Sequence, residues 1–370
     1  MKRAIVSVTN DLSTDQRVHK TCMTLLEKEW KVLLVGRQLP GSLPLDRPYE
    51  THRMNLVFKK GFLFYAEYNL RLFLFLMLRR ADLLWSNDLD TLWPNFWVSR
   101  LRRKELVYDT HEYFTGVPEL ESRPRVQAVW KRIEKNIFPK LEHIITVNQS
   151  IADLYAQEYG KTLTIVRNIP PKFHVKTASS RRDWGLPEDR TVFVLQGSGI
   201  NVDRGAEEAV EAMAQLETAH LVIIGGGDVL DILKSKVEQL ALGDRVHFHP
   251  RMPYERMMEC TQLCDVGLTL DKDTNINYRY SLPNKLFDYL QAGIAVIASG
   301  VIEVRRIVEQ YALGNIIPSH DPADIAAVMN EFIRDPEWLA TCKAKAREAA
   351  HELHWDTEKQ NLTQIIDRFA

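Results

Sequence analysis

The run TVFVLQ, residues 191–196, is followed at once by GSGINVDRGAEEAVEAM, residues 197–213. Gly197 and Gly199 free the backbone for close approach to a ligand. A helix beginning near Gly205 would present unpaired N–H groups and a positive dipole end, which suits phosphate. Arg204 would stand at that helix start, where a guanidinium can grip a diphosphate with two parallel hydrogen bonds. The same letters also describe a tight strand-to-helix turn with an exposed arginine. A second cation lies in SLPNKLFDYLQAG, residues 281–293. Ser281 reads as the cap, Pro283 as the first turn and Gly293 as the stop of a short helix. Leu286 and Leu290 form its apolar stripe, and Lys285 and Asp288 are side-chain neighbours at i, i+3. As a surface ion pair they would contribute at most about 0.5 kcal/mol.

The first half holds two further polar clusters, WSNDLDTL at 85–92 and YDTHEYF at 108–114. Each directly follows a buried-strand pattern. Asn87, Asp88, Asp90, His111 and Glu112 are therefore expected along the carboxyl edge of a parallel sheet, where ligands bind. A neutral histidine there can hydrogen-bond a sugar hydroxyl or move a proton, or it can cap the next element. TNDLSTDQRVHK places Asp11, Asp15 and Arg17 in the first loop and helix start, with Asp15 also readable as a cap. The chain has no HExxH, GxSxG, Walker A or paired Cys/His set, so neither zinc, a serine nucleophile nor a P-loop is indicated. IIGGG at 223–227 lacks the GxGxxG spacing of a nicotinamide site and reads as a close-approach turn.

These residues need a scaffold, and short Val/Ile/Leu-rich runs alternating with helical patterns supply it. AIVSV, VLLV, LLWS, ELVY, HIITV and LTIVR occupy the first half; TVFVLQGSG, HLVIIGGG, RVHFH, DVGLTL, AVIA and NIIP occupy the second. Continuous apolar strands between helices predict parallel sheets covered on both faces. A Pro-, Ser- and Arg-rich stretch at 167–190 separates the halves as a linker. The expectation is an α/β chain of two Rossmann-like domains, 1–170 and 171–350, with a ligand in the cleft between them. Residues 351–370 would close the chain as a packed helix, with apolar spacing at Leu362, Ile365, Ile366 and Phe369.

The totals agree with two domains, since 370 residues at 45% hydrophobic content exceed what one core holds. The net charge of -1 is unevenly spread: residues 1–170 hold 26 Lys and Arg against 19 Asp and Glu. A basic half suits phosphates, anionic lipid or nucleic acid, or is simply solvated surface. Cys22, Cys260, Cys264 and Cys342 form no CxxC, which fits a reducing cytoplasm. The N-terminus MKRAIVSVTNDL turns polar too soon for a signal peptide. LRLFLFLMLRR at 70–80 is shorter than a bilayer requires, so no segment is expected to cross a membrane. KKGFLFYAEYNLRLFLFLMLRR at 59–80 is left as either a basic helix touching a membrane surface or a buried helix of the first domain.

In their order and spacing, DQRVHKTCMTLLEKEWKVLLV, SNDLDTLWP, YDTHEYF, RNIPP, DRG, HLVIIGGG, RVHFHPRMPYERMMECTQLCDVGLTL, LPNKLFDYLQAGIAVIAS and HWD resemble a GT-B fold glycosyltransferase of the large retaining group numbered family four. The resemblance runs nearly end to end. It implies transfer of a sugar from a nucleotide diphosphate sugar to a saccharide or lipid-linked acceptor hydroxyl, as in polysaccharide or glycoconjugate biosynthesis. It further implies no cofactor, no bound metal and no nucleic-acid partner, and a last helix that returns to the first domain; the cysteines add a cytoplasmic site, and the basic N-terminal half adds peripheral contact at the inner membrane face as an expectation. By the same resemblance Asp288 would hold the nucleotide ribose, Arg204 and Lys285 the diphosphate, and His111 the transferred sugar. Gly197, Ser198, Gly199, Arg251, Met252, Tyr280, Asn284 and Leu286 would complete the donor side. Asp11, Asp15, Asn87, Asp88, Asp90 and Glu112 would lie on the acceptor side. No enzymic nucleophile is implied.

Two departures stand out. Family members often carry two glutamates eight positions apart, where this chain has Tyr280 and Asp288. Many have an arginine after the first glycine of the GSG turn, where this chain has Ser198. Phosphate charge would then rest on Arg204 and Lys285. A nucleotide-sugar epimerase of the same fold, a non-catalytic nucleotide or carbohydrate binder, and a nicotinamide oxidoreductase are the alternatives.

Overall fold

The computed structural model describes residues 1–13, 15–173 and 179–369. Residues 174–178 of the expected linker lie outside the described residues, as do Thr14 and Ala370. By packing, the chain divides into Met1–Asn168 with Glu358–Ala370, and Ile169–Thr357.

The first unit is built on a parallel sheet of seven strands among the described residues: β1 (Arg3–Asp11), β2 (Lys31–Arg37), β3 (Glu50–Met54), β4 (Leu83–Asn87), β5 (Glu105–Thr110), β6 (His143–Thr146) and β7 (Thr164–Ile165). Their order is β3-β2-β1-β4-β5-β6-β7. The chain thus winds outward from β1 in one direction and then from β4 in the other, so the topological switch falls between β1 and β4. Central strands are apolar without interruption because helices cover both faces; Ala4, Ile5 and Val6 are fully buried. The edge strand β3 reads ETHRM, runs from exposed Glu50 and Thr51 to buried Met54, and was not indicated by its pattern.

Helices pack by the expected periodicity. Gln16–Glu27 buries Val18, Cys22 and Leu25, and is capped by Asp15, whose carboxylate accepts from Val18 N. Gly61–Leu78 buries Phe64, Tyr68, Leu72 and Leu76, one every fourth residue, and Tyr68 Oη donates to the Val8 carbonyl at 2.6 Å. The last helix, Trp355–Asp367, sends Glu358 into this unit. There it accepts from Arg167 N at 2.7 Å, Nε at 3.0 Å and Nη2 at 2.6 Å.

The second unit repeats the plan with six parallel strands among the described residues: β8 (Val192–Gly197), β9 (His220–Gly225), β10 (Val246–His249), β11 (Val266–Thr269), β12 (Ala295–Ala298) and β13 (Gly314–Ile316), in the order β10-β9-β8-β11-β12-β13. Its switch point lies between β8 and β11. Apolar clusters sit on both faces of the sheet, one around Phe193, Leu195 and Leu268, the other around Val194, Leu286 and Tyr289. All four cysteines are free and buried.

Candidate active site

Each unit gathers its unusual polar residues at the carboxyl end of its switch point. In the second unit β8 ends in the GSG loop, and Ser198 offers its carbonyl to Arg251 Nη2. The expected close-approach turn is present. Gly225 has φ +138°, and a Cβ there would lie 1.8 Å from the Gly197 carbonyl oxygen. The helix expected near Gly205 begins at Ala206. Gly205 itself is left-handed at φ +73°, and a Cβ on it would meet Leu270 at 2.4 Å.

Arg204 and Lys285 do come together, through a residue that the motif reading passed over. Asp271, two residues beyond β11 and fully buried, lies 3.1 Å from Arg204 Nη1 and 3.6 Å from Lys285 Nζ. Neither approach is aligned as a hydrogen bond, and Arg204 Nε has no acceptor among the described residues. The guanidinium also lies over the Tyr278 ring, 4.3 Å from its centre. One buried carboxylate therefore holds two cations side by side at the sheet edge while leaving donors unspent.

Several expected roles are corrected. Lys285 does not pair with Asp288. The Asp288 carboxylate accepts from Tyr254 Oη at 2.9 Å and from Gln196 Nε2 at 3.2 Å, and the residue is buried. Ser281 is not the cap. Helix Asn284–Ala292 starts after Pro283, which has no side-chain acceptor, so its first amides stay uncapped. The Leu286 side chain is fully buried in the core, so only its backbone in the first helical turn faces the strand end. Asn284 is exposed as the first helical residue, Tyr280 is half-buried behind helix Ile276–Arg279, and Met252 packs on the core beside exposed Arg251.

In the first unit Asn87 and Asp88 close β4, and His111 follows β5. His111 N donates to Asp88 Oδ1 at 2.8 Å, and Nδ1 lies 3.3 Å from Asp88 Oδ2. On the other side Nε2 is 3.2 Å from Asn87 Oδ1 and 3.8 Å from Asp109 Oδ2. Asp109 in turn is bound by the buried Arg17 at 2.7 Å. Asp88 has φ 57° and ψ 168°, a strained conformation for a residue with a Cβ. Such strain costs about 1–3 kcal/mol and places this carboxylate against the imidazole.

Burial works against charging the ring, but the facing carboxylates of Asp88 and Asp109 outweigh it and raise His111 to about 9. The expected neutral imidazole is therefore an imidazolium at pH 7, a donor at both nitrogens. Burial, followed by the Asp88 charge, lifts Asp90 and Glu112 to about 7 each. Asp90 is buried and accepts from Thr9 Oγ1 at 2.5 Å. Asp11 is buried and accepts from Ser13 N at 2.9 Å and from Arg53 Nη2 at 3.1 Å. Asp15 serves as a cap and is half-buried, as are Asp88, His111 and Glu112, whereas Asp11 and Asp90 are buried within the unit.

Stability should therefore fall from mildly acidic to alkaline pH. His111 holds its proton more tightly folded than unfolded, so its contribution of about 3 kcal/mol is complete below pH 6.5 and lost as pH rises through about 9. Asp90 and Glu112, also raised on folding, bind extra protons only below about 7, which weakens the folded state as pH climbs to that value. Melting curves should show a midpoint that drops from pH 5 to 9, and His111→Asn should remove the part above pH 6.5.

Residues 15–171 match the family model described as glycosyltransferase family 4, and residues 176–349 match that of the glycosyl transferases group 1. With two parallel α/β units and this pair of matches, the chain belongs to the glycosyltransferases of the two-domain, Rossmann-like GT-B fold.

Among curated relatives it is similar to a D-inositol 3-phosphate glycosyltransferase of Xylanimonas cellulosilytica, 23% identical over 254 residues, or 64% of this chain and 58% of the relative. The match thus spans little more than half of that relative's length. In structure it is similar to sucrose-phosphate synthase from Thermosynechococcus elongatus, with a TM-score of 0.79 at 19% identity, covering 100% of this chain and 99% of the other. It is also similar to the Anabaena protein HepE in complex with UDP-glucose, with a TM-score of 0.74 at 16% identity and 100% of both chains covered.

Proposed function

We propose that this chain transfers a sugar from a nucleoside diphosphate sugar to an acceptor hydroxyl, with retention and without a resident metal. The observation that carries the reading is the convergence of Arg204 and Lys285 on Asp271 beside the GSG loop, at a switch point where such sheets bind ligands. The developing charge is on the leaving diphosphate. Two fixed cations and the uncapped amides of helix Asn284–Ala292 stabilise it, which is electrostatic catalysis by groups already in place. Asp271 holds the cations until the diphosphate arrives. In this reading His111, charged and held by Asp88, donates a hydrogen bond to the transferred sugar and is no general base. Arg251 and Met252 flank the nucleoside base, and UDP is the first nucleotide to try because HepE is described with UDP and UDP-glucose. The acceptor is a saccharide or a lipid-linked saccharide.

A thermal-shift panel of UDP, GDP, ADP, CDP and NADH tests this, because a ligand that binds only the folded state raises its melting temperature. One nucleoside diphosphate should give a shift, which Arg204→Ala and Lys285→Ala each reduce. A shift with NADH alone, or a nucleotide shift unchanged in both variants, would overturn the assignment. Release of the diphosphate from its sugar only when an acceptor is added separates transfer from epimerisation and from binding alone.

A further inference from the structure

The helix Gly61–Leu78 is apolar on two sides, with Glu67, Asn69 and Arg71 its polar exceptions. Its inner stripe is seated on the sheet, yet Phe62, Ala66, Leu70, Leu74 and Leu78, also four residues apart, form an outer stripe that is exposed. A surface helix of a water-soluble layer normally carries polar residues on that side. Its neighbour Leu89–Arg102 does the same, exposing Trp93, Trp97 and Leu101 at the same four-residue spacing. The two stripes lie side by side: Asn69 Nδ2 donates to the Asp90 carbonyl at 2.9 Å, the Phe73 and Trp93 rings are 5.9 Å apart, and Arg102 Nη1 reaches the Leu76 carbonyl at 2.6 Å. An exposed apolar surface of this extent marks an interaction site.

Its border is basic. Arg79, Arg80, Arg100 and Arg103 are exposed where the two helices end, and none of them enters an ion pair among the described residues. Lys59 and Lys60 are exposed at the other end, beside Val57 and Phe58. The one acid on helix Gly61–Leu78, Glu67, accepts from the Val57 and Phe58 amides and pairs with Arg71.

We propose that this face, the outer stripes of helices Gly61–Leu78 and Leu89–Arg102 with their arginine border, docks the first unit on the surface of an anionic lipid bilayer. Leucine, phenylalanine and tryptophan enter the headgroup and acyl boundary while the arginines meet lipid phosphates. Length and composition alone would let Gly61–Leu78 cross a membrane. The bonds from Tyr68 and Asn69 to the rest of the unit hold its inner side in the protein, so the helix lies on the bilayer rather than through it. A second copy of the chain fits less well. In a two-fold contact the same patch meets itself, which would set unpaired arginines against unpaired arginines. The inference is independent of the sugar-transfer reading, because it uses none of the residues assigned to that site.

The test is flotation of the full chain with vesicles of phosphatidylcholine, with and without phosphatidylglycerol, alongside the triple variant Leu70→Ser, Leu74→Ser, Leu78→Ser and the pair Arg79→Gln, Arg80→Gln. The chain should float with the anionic vesicles and less with the neutral ones. Both variants should bind roughly tenfold less, at unchanged melting temperature, and added salt should weaken the wild type. Failure of the wild type to float with anionic vesicles would overturn the proposal, as would a triple variant that floats like the wild type. So would a concentration-dependent dimer, seen by light scattering and lost in the leucine variant, from a chain that does not float. The nucleotide thermal shift, measured without vesicles, keeps either result apart from the fate of the sugar-transfer reading.

Discussion

Replacing Asp109 by alanine should cost roughly 3–5 kcal/mol of stability, read as a lower urea midpoint with an unchanged slope. Asp109 and Arg17 are both buried, 2.7 Å apart, and burial that would otherwise raise the carboxyl is overcome by the guanidinium, which holds it well below its ordinary range. Among the described residues, removing the acid leaves an arginine with only the Val166 carbonyl to bind. It also takes away one of the two carboxylates that charge His111, so the histidine should titrate closer to neutrality. The double variant Arg17→Met, Asp109→Leu discriminates between causes. If the loss comes from an unpaired buried charge, replacing both partners with apolar side chains should recover most of it. If the double variant is no better than Asp109→Ala, the pair matters for something other than its charge.

Gly225→Ala should be as damaging, by roughly 3–5 kcal/mol or outright misfolding. Gly225 pairs with Gly197 across β8 and β9, and the new methyl carbon would sit 1.8 Å from one backbone oxygen and 2.9 Å from its carbon. Backbone at the paired ends of two neighbouring strands cannot rotate aside as a side chain would. The bond from Gly226 N to the Gly197 carbonyl, 3.2 Å, would go with it, and the GSG loop would be displaced. Gly243→Ala is the control, since nothing lies within 4 Å of its added carbon. That change should stay within about 0.5 kcal/mol, and a comparable loss at both positions would refute the steric account.

Much of this architecture could be read from residue pattern because parallel strands covered on both faces leave continuous apolar runs. ELVY and DVGLTL are such runs, and they became β5 and β11. β3 escaped because ETHRM sits at an edge and needs backbone pairing to β2 but no apolar face. The site was legible by position and less so by partner. Sequence spacing put Lys285 beside Asp288, yet helix rotation turned the lysine to Asp271 and the aspartate inward to Tyr254. Asp271 belonged to none of the motifs read; its signal is that it stands just past a fully buried strand. For His111 the neighbours on the page were Thr110 and Glu112, whereas the carboxylates that charge it come from β5 and from the end of β4, adjacent strands whose register only the fold supplies.

The bond between Arg167 and Glu358 also orders events during synthesis. Everything that the first unit needs, apart from its last helical stretch, has been synthesised by residue 168, but Glu358 follows only after the whole second unit has been made. At ordinary translation speeds the interval is roughly 10–40 s. Throughout it the first sheet waits with Arg167 unpaired and with the surface that receives Ile365 and Ile366 open to water. Uncovered apolar surface of this kind is what makes incomplete chains prone to misassembly, and the last helix removes it only when the second unit has been made.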